Sequence, residues 1–409
     1  MTDRRVYLDH AATTHLSPAA AQAWASAAAQ VGNPSSLHTS GRQARRLVEE
    51  SRESVADDLG VRPSEVVFTS GGTEADNLAV KGFAWRGGSA GRVLASPIEH
   101  HAVLDAVLWL EEQGHKVDWI PVDTLGRVDV NYVRAHLDDD VAVCTVMWAN
   151  NEIGTVQPIH QIAQACLDAG VPFHSDAVQA LGAIPLDCAI PGLTSAALSG
   201  HKIGAPVGVG ALILERDAEP VPLQHGGGQE REVRSGTVDA ASIAAFAVAV
   251  HEAVEHQAEA AEHMRLLRDR LIDGIVDLAP EAVVNGDRVD RLPGNVHVTF
   301  PGCEGDALLM LLDAAGVECS TGSACTSGIP EPSHVLLAMG VDARTARGSL
   351  RFSLSRTSTD ADIDRVLDVL PAALGRAARA SSPRLRSGWY WWRSSYWNNT
   401  YRLPPCFPR

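Results

Sequence analysis

The sequence predicts an α/β protein: a mostly parallel sheet covered by helices on both faces, followed by a smaller α+β domain. Three observations predict it. Between about residues 60 and 215, short apolar runs alternate with amphipathic stretches, as expected of buried strands joined by crossover helices. Glycine is abundant, at 35 residues, which suits many tight turns between strands and helices. After about residue 240 the alternation gives way to a long Ala/Glu/His-rich stretch and then to separated apolar runs.

The opening "VYLDHAATT" reads as a segment that packs with the smaller domain or bridges to it, so residues 1–14 are set apart from a large domain, 15–255. "EVVFTS" is an apolar run that turns through glycines into the helical "GGTEADNLAVKGFAW". "RVLASP" precedes the helical "HHAVLDAVLWLEEQG", and "KVDWIP" and "VAVCTVMW" follow as further strands. "PIHQIAQACLDAG" places Ile159, Ile162, Ala163, Cys166 and Leu167 on one helical face, with Gly170 as its stop. "VPFHSD" and "GVGALIL" complete the large domain's strands. "ASIAAFAVAVHEAVEHQAEAAEHMRLLRDRLIDGI" reads as one long helix or two joined ones. "NVHVTF", "DALLMLLDAAG", "VECSTGSACTSG", "GSLRFSLS" and "TDADIDRVLDVLPAAL" then form the smaller domain, 256–378.

The remainder, 379–409, differs. It holds four of the nine tryptophans, Trp389, Trp391, Trp392 and Trp397, and shows neither the helical nor the strand period. It reads as a poorly ordered appendage or as a docking segment, since exposed tryptophan and arginine suit interfaces. The formal net charge of −16 disfavours nucleic acid as the main partner. The seven cysteines, an odd number, form no C-x-x-C pair and no zinc spacing, so no metal site is expected. With no apolar leader at the start and no run long enough to span a bilayer, the expectation is a reducing, cytoplasmic setting without membrane contact.

Within this frame "SGHKIGAPVG" stands out. Lys202 sits in a glycine-lined turn between two apolar runs. A partly desolvated amine has a lowered pKa and can form an imine with an aldehyde. The aldehyde cofactor that uses a lysine in this way is pyridoxal 5'-phosphate. Such a site also needs a carboxylate for the pyridine nitrogen, donors for the phosphate and a group that holds the ring. Asp176 ends the run "VPFHSD". "FTSGGTEADN" offers the backbone of Gly72 and Thr73, with the Thr73 hydroxyl, as an anion site at a helix start. Ser199 and His201 flank the lysine, and His100 follows "VLASPIE". Singly these signals are ordinary: a glycine turn is usually only a turn, and an aspartate after a strand is usually a cap. Their joint occurrence in this order is much more specific.

The sequence resembles the pyridoxal-phosphate-dependent cysteine desulfurases of the IscS/NifS type, within the class V aminotransferases. The resemblance runs from "YLDHAATT" to about residue 375 through "GNPSSLH", "FTSGGTEADNLAVKG", "EHHAVL", "NNEIG", "HSDAVQ", "SGHKIGAPVGVG", "HGGGQEREVRSGT", "GSACTSG" and "LRFSLSR". It implies a fold type I transferase acting as a homodimer, with Lys202, Cys325 and His100 as the catalytic set. Lys202 matches the Schiff-base lysine, Asp176 the pyridinium partner and His100 the residue stacked on the ring. Asn151 and Gln179 match contacts to the ring or its hydroxyl, and Gly72, Thr73, Ser199 and His201 match the phosphate cradle. Thr237 matches a phosphate ligand supplied by the other subunit. Cys325 matches the thiol that accepts sulfur. Arg351 matches the group that holds the substrate carboxylate, and Asn33 lies near the substrate.

The residues agree with those roles. Arg351 alternates with Leu350 and Phe352, so a strand there turns it away from that apolar pair. Its planar fork can hold a carboxylate through two parallel bonds. Cys325 lies among Gly322, Ser323, Ala324, Ser327 and Gly328, a loop with little side-chain bulk, whereas Cys144, Cys166 and Cys319 fit structural roles. The reaction implied converts L-cysteine to L-alanine with a persulfide on Cys325, supplying sulfur to acceptor or scaffold proteins for iron–sulfur assembly, tRNA thiolation or another sulfur-modification pathway. Whether Cys325 transiently ligates an iron–sulfur cluster stays open. The rivals are an aminotransferase or β-lyase that has no need of Cys325, a selenocysteine lyase, and a non-catalytic scaffold.

Overall fold

The computed structural model describes residues 5–87, 91–322 and 332–381. Cys325, Cys406 and residues 382–409 lie outside them. The chain runs β1 (Val6–Tyr7), α1 (Pro18–Ala28), α2 (Thr39–Leu59), β2 (Val66–Thr69), α3 (Gly72–Arg86), β3 (Arg92–Ala95), α4 (His101–Glu112), β4 (Val117–Trp119), α5 (Val130–His136), β5 (Val141–Thr145), α6 (Ile159–Ala169), β6 (Phe173–Asp176), β7 (Ser195–Ser199) and β8 (Gly210–Leu214). It continues through α7 (Ala240–Glu255), α8 (Gln257–Leu278), β9 (Val283–Val284), β10 (Asn295–Thr299), α9 (Gly305–Ala314), β11 (Val317–Glu318), α10 (His334–Ala338), α11 (Ala343–Ala346), β12 (Ser349–Ser353) and α12 (Asp360–Ser381).

Seven strands form the main sheet in the order β2-β8-β7-β6-β5-β3-β4. β4, β3, β5, β6 and β7 run parallel, while β8 is antiparallel to both β7 and β2. The crossovers of a parallel sheet put helices on its faces, so the strands are apolar on both sides. One apolar cluster joins Phe68, Leu94, Cys144, Phe173 and Leu198 to helical residues such as Ile162 and Phe246. A second, on the other face, joins Val67, Val93, Val143 and Leu212 to Leu78, Phe83 and Leu110.

Local chemistry sets the helix ends. Ser17 caps α1 by accepting from the Ala20 amide at 3.0 Å, and Pro18 supplies a first-turn φ that suits a helix. α6 ends at Gly170, in the left-handed region at φ +66°. Its buried face is Ile159, Ile162, Ala163, Ala165 and Cys166. Leu167, expected on that face, is 49% exposed. At 3.6 residues per turn it falls about 40° beyond Ala163, past the edge of the stripe, while Ala165 closes the other edge. The long alanine-rich stretch is two helices, broken at His256.

A third cluster gathers Met264, Leu271, Val296, Val298, Phe300, Leu312, Leu350, Phe352, Ile363 and Leu370 around the antiparallel pair β10–β12. Val6 and Leu8 belong to it, because β1 pairs in parallel with β11. Residues 9–14 then leave this cluster and cross to the carboxyl ends of the main sheet, where the Thr14 amide donates to the His201 carbonyl at 3.0 Å.

Candidate active site

The carboxyl ends of parallel strands are where ligands bind in open α/β sheets. Here they face a cavity of about 420 Å³. Gly72, Thr73, His100, Asn151, Asp176, Gln179, Ser199, His201, Lys202 and Arg351 all line it. Asn33 and Thr237 are exposed and do not line it.

Each lining group arrives for a local reason. β7 ends at Ser199, and a single 3-10 turn over Gly200–Lys202 swings the lysine into the cavity. Its Nζ donates to the Ala11 and Ala12 carbonyls at 2.7 and 2.8 Å. Burial, then the positive Arg351, lower its pKa to about 8, against the opposing pull of Asp176 and Asp9. Asp176 closes β6, and its Oδ1 accepts from the Val178 amide at 2.9 Å. Burial raises it to about 6, offset by that hydrogen bond and by Lys202. Gln179 Nε2 donates to the Ala11 carbonyl at 3.0 Å.

His100 caps α4, its Nδ1 accepting from the Ala102 amide at 3.1 Å. An accepting Nδ1 places the ring proton on Nε2 in the neutral form. Burial and then Lys202 hold its pKa down at about 4, so it is neutral at pH 7. Burial, Lys202 and His100 bring His201 to about 4 as well.

α3 starts at Gly72, after Gly71 at φ +146°, a backbone that side chains resist. A Cβ on Gly72 would lie 2.8 Å from Val178 Cγ2. The helix start is thus packed against the strand end, with its free amides beside Ser199.

Arg351 lies in β12 between Leu350 and Phe352, which enter the apolar cluster while the guanidinium reaches the cavity wall. It donates to the Asn151 carbonyl at 2.9 Å and to Asp9 Oδ1 at 2.8 Å. Among the described residues its Nε is buried without a partner.

Several lining groups are not singled out by the sequence pattern: Asp76, Glu152 and His334, and the Ala11 and Ala12 carbonyls. Asp9 and Glu99, in contact with Arg351 and with the Met147 amide, are likewise not singled out. Asp9 and Glu99 had a signal: each is the acid that ends an apolar run, "VYLD" and "VLASPIE". Asp76 is fully buried against His174, at 3.1 Å. Burial and then Asp176 push Asp76 and Glu99 well above the carboxylate range. Cys319 is buried, its thiol pushed up to about 12, chiefly by burial, which makes it a poor nucleophile.

The set suits pyridoxal phosphate: an amine of lowered basicity, a buried carboxylate, an anion-binding helix start and a buried guanidinium donor left unmet. The comparisons agree. The aminotransferase class-V model matches residues 6–366. An IscS-like cysteine desulfurase of Mycobacterium tuberculosis is 56% identical over 92% of this chain and 98% of its own. The cysteine desulfurase NifS of Azotobacter vinelandii is 43% identical over 92% of this chain and 94% of its own. A solved NifS-like protein superposes with a TM-score of 0.85 at 36% identity, over 91% of this chain and all of its own. The chain belongs to the aminotransferase class-V family, whose fold it shares and whose cofactor is pyridoxal phosphate. Within that family it falls among the IscS/NifS cysteine desulfurases.

Proposed function

We propose that this chain takes sulfur from free L-cysteine, releases L-alanine and carries the sulfur as a persulfide on Cys325. The convergence of Lys202, Asp176 and Arg351 on one cavity carries this reading. Lys202 is the amine that would hold the cofactor through its aldehyde. When bound, pyridoxal phosphate supplies the electron sink that weakens the β-carbon–sulfur bond. The Gly72 and Thr73 amides with Ser199 and His201 would hold the phosphate. His100, Asn151 and Gln179 would hold the ring, and Asp176 would supply the carboxylate for its nitrogen. Arg351 takes the substrate carboxylate, and Asn33 lies at the approach to it. Lys202, once free, moves a proton from the substrate α-carbon; near its pKa of about 8 the amine is part neutral at physiological pH.

The Cys325 thiolate attacks the substrate sulfur. A sulfur–sulfur bond forms, the carbon–sulfur bond breaks, and its electron pair stays with the β-carbon, which takes a proton to become the methyl of alanine. The persulfide then passes to an acceptor or scaffold protein, for iron–sulfur assembly or another sulfur pathway.

Two copies make the working unit. Thr237 is exposed and away from its own cavity, which suits a ligand offered to a second copy. Val31, Leu37 and Val207 are 86%, 85% and 79% exposed, and Val207 lines the cavity mouth. A dimer that covers them would bring the two together. The apolar clusters support a division into a large unit, 15–255, and a small one, 256–378, with residues 1–14 tying the two. No helix among the described residues is long and apolar enough to cross a membrane, which accords with work in the cytoplasm.

Mass spectrometry of the protein after incubation with L-cysteine tests the reading. One added sulfur atom on Cys325 is expected. Sulfide release that survives Cys325→Ala in full would replace it with the β-lyase reading.

A further inference from the structure

We infer that Asp9 is a positioning residue for Arg351: it holds the guanidinium so that its unmet Nε donor is kept for the carboxylate of the amino-acid substrate. This rests on the reading of Arg351 given above.

Arg351 is 5% exposed and is fixed through its two terminal nitrogens, from two different elements. One donates to the Asn151 carbonyl at 2.9 Å, in the turn after β5. The other donates to Asp9 Oδ1 at 2.8 Å, in the crossing segment after β1. Among the described residues Nε, buried on the same side chain, finds no partner. A buried donor left unmet is costly to the fold, so such a group calls for a ligand acceptor. In the planar fork, Nε–H points parallel to one N–H of a terminal nitrogen, the pair of donors that a carboxylate takes.

Asp9 is itself held in place. Its carbonyl accepts from the Ala12 amide at 3.0 Å and from the Tyr7 hydroxyl at 3.1 Å. The flanking backbone is tied to β12 two residues beyond the arginine. Ser353 donates its amide to the Leu8 carbonyl at 2.7 Å, and the Ala11 amide donates to Ser353 Oγ at 2.9 Å. The carboxylate and the guanidinium therefore move as one body. Asp9 also offsets the arginine's charge at Lys202, whose amine Arg351 makes less basic and Asp9 more basic.

The test measures L-alanine binding to the cofactor-loaded protein, read as the change in absorbance of the bound cofactor. In Asp9→Ala the concentration for half effect should rise about tenfold, the loss of one charge-assisted hydrogen bond. The rate at saturating L-cysteine should fall far less than that. Asp9→Asn keeps an oxygen in place without the charge, so its half-effect concentration should lie between those of the parent and the alanine variant. It also serves as the test if Asp9→Ala does not fold. A half-effect concentration unchanged or lowered in either variant overturns the inference. Arg351→Ala is measured alongside. If it binds L-alanine like the parent, the reading of Arg351 itself fails. If it loses binding while the Asp9 variants do not, only the role of Asp9 falls.

Discussion

Lys202 and Asp176 are both buried, and burial pushes each toward its neutral form: the amine down to about 8, the carboxyl up to about 6. Behind them Glu99 goes further. Its Oε1 accepts from the Met147 amide at 2.6 Å, while Oε2 is buried without a partner among the described residues. Burial, then Asp176, raise its pKa well above 4.5. A carboxyl with a raised folded-state pKa stabilises the fold fully below its unfolded value, and that contribution is lost as pH rises through the folded one. Glu99→Gln keeps the acceptor and cannot ionise. Its melting temperature relative to the parent should therefore climb as pH rises above 4.5. Melting curves that stay parallel from pH about 5 to about 8 would show that Glu99 carries no such burden.

The elements around the cavity are fastened from behind by charge. Arg52, on α2, makes a two-pronged pair with Glu230 at 2.8 Å on each prong. Glu230 also accepts from the Phe68 amide on β2 at 2.9 Å. Both side chains are nine-tenths buried or more. The pair thus locks α2 and β2, which leads into the glycine turn at Gly71 and Gly72, to the 229–234 segment that precedes Thr237. Arg231 and Glu232 there hold φ of 55° and 62°, a backbone that non-glycine residues adopt only where neighbours enforce it. Glu230→Ala leaves the buried guanidinium with only the half-exposed Glu49 as charge partner and should cost about 3 kcal/mol of stability. Denaturant titration reads this directly, and a loss of under about 1 kcal/mol would place the pair among surface-like ion pairs.

At the scale of the molecule, the proposed homodimer makes a prediction of its own: each site would need Thr237 of the other copy. A protein with Thr237→Ala should bind pyridoxal phosphate more weakly, and one with Lys202→Ala should not react. Unfolded and refolded together, the two should form mixed dimers in which one site has both an intact lysine and an intact threonine from its neighbour. About a quarter of the parent activity should return, since half of random dimers are mixed and each has one good site. No recovery above the sum of the separate variants would mean that Thr237 serves its own subunit or none.

Much of this was legible in the sequence. Strand runs, glycine turns and polar residues at run ends depend on neighbours along the chain, so the sheet, the turn at Lys202, the aspartate at 176 and the outward side of Arg351 follow from local pattern. Leu167 was misplaced because its burial depends on how wide a stripe the sheet covers, not on its own helix. Asp9, Glu99 and Asp76 were invisible as a set: each looks like an isolated acid in its own segment, at positions as far apart as 9 and 351 for the pair that matters most. Only the folding of residues 9–14 across the strand ends decides that Asp9 meets Arg351 and that two alanine carbonyls meet Lys202. The order of residues along the chain settles which chemical groups are present and which secondary element carries each. The tertiary structure decided which of them share a low-dielectric space, and with it their charge states, because burial and charge–charge coupling depend on distance through space rather than along the chain.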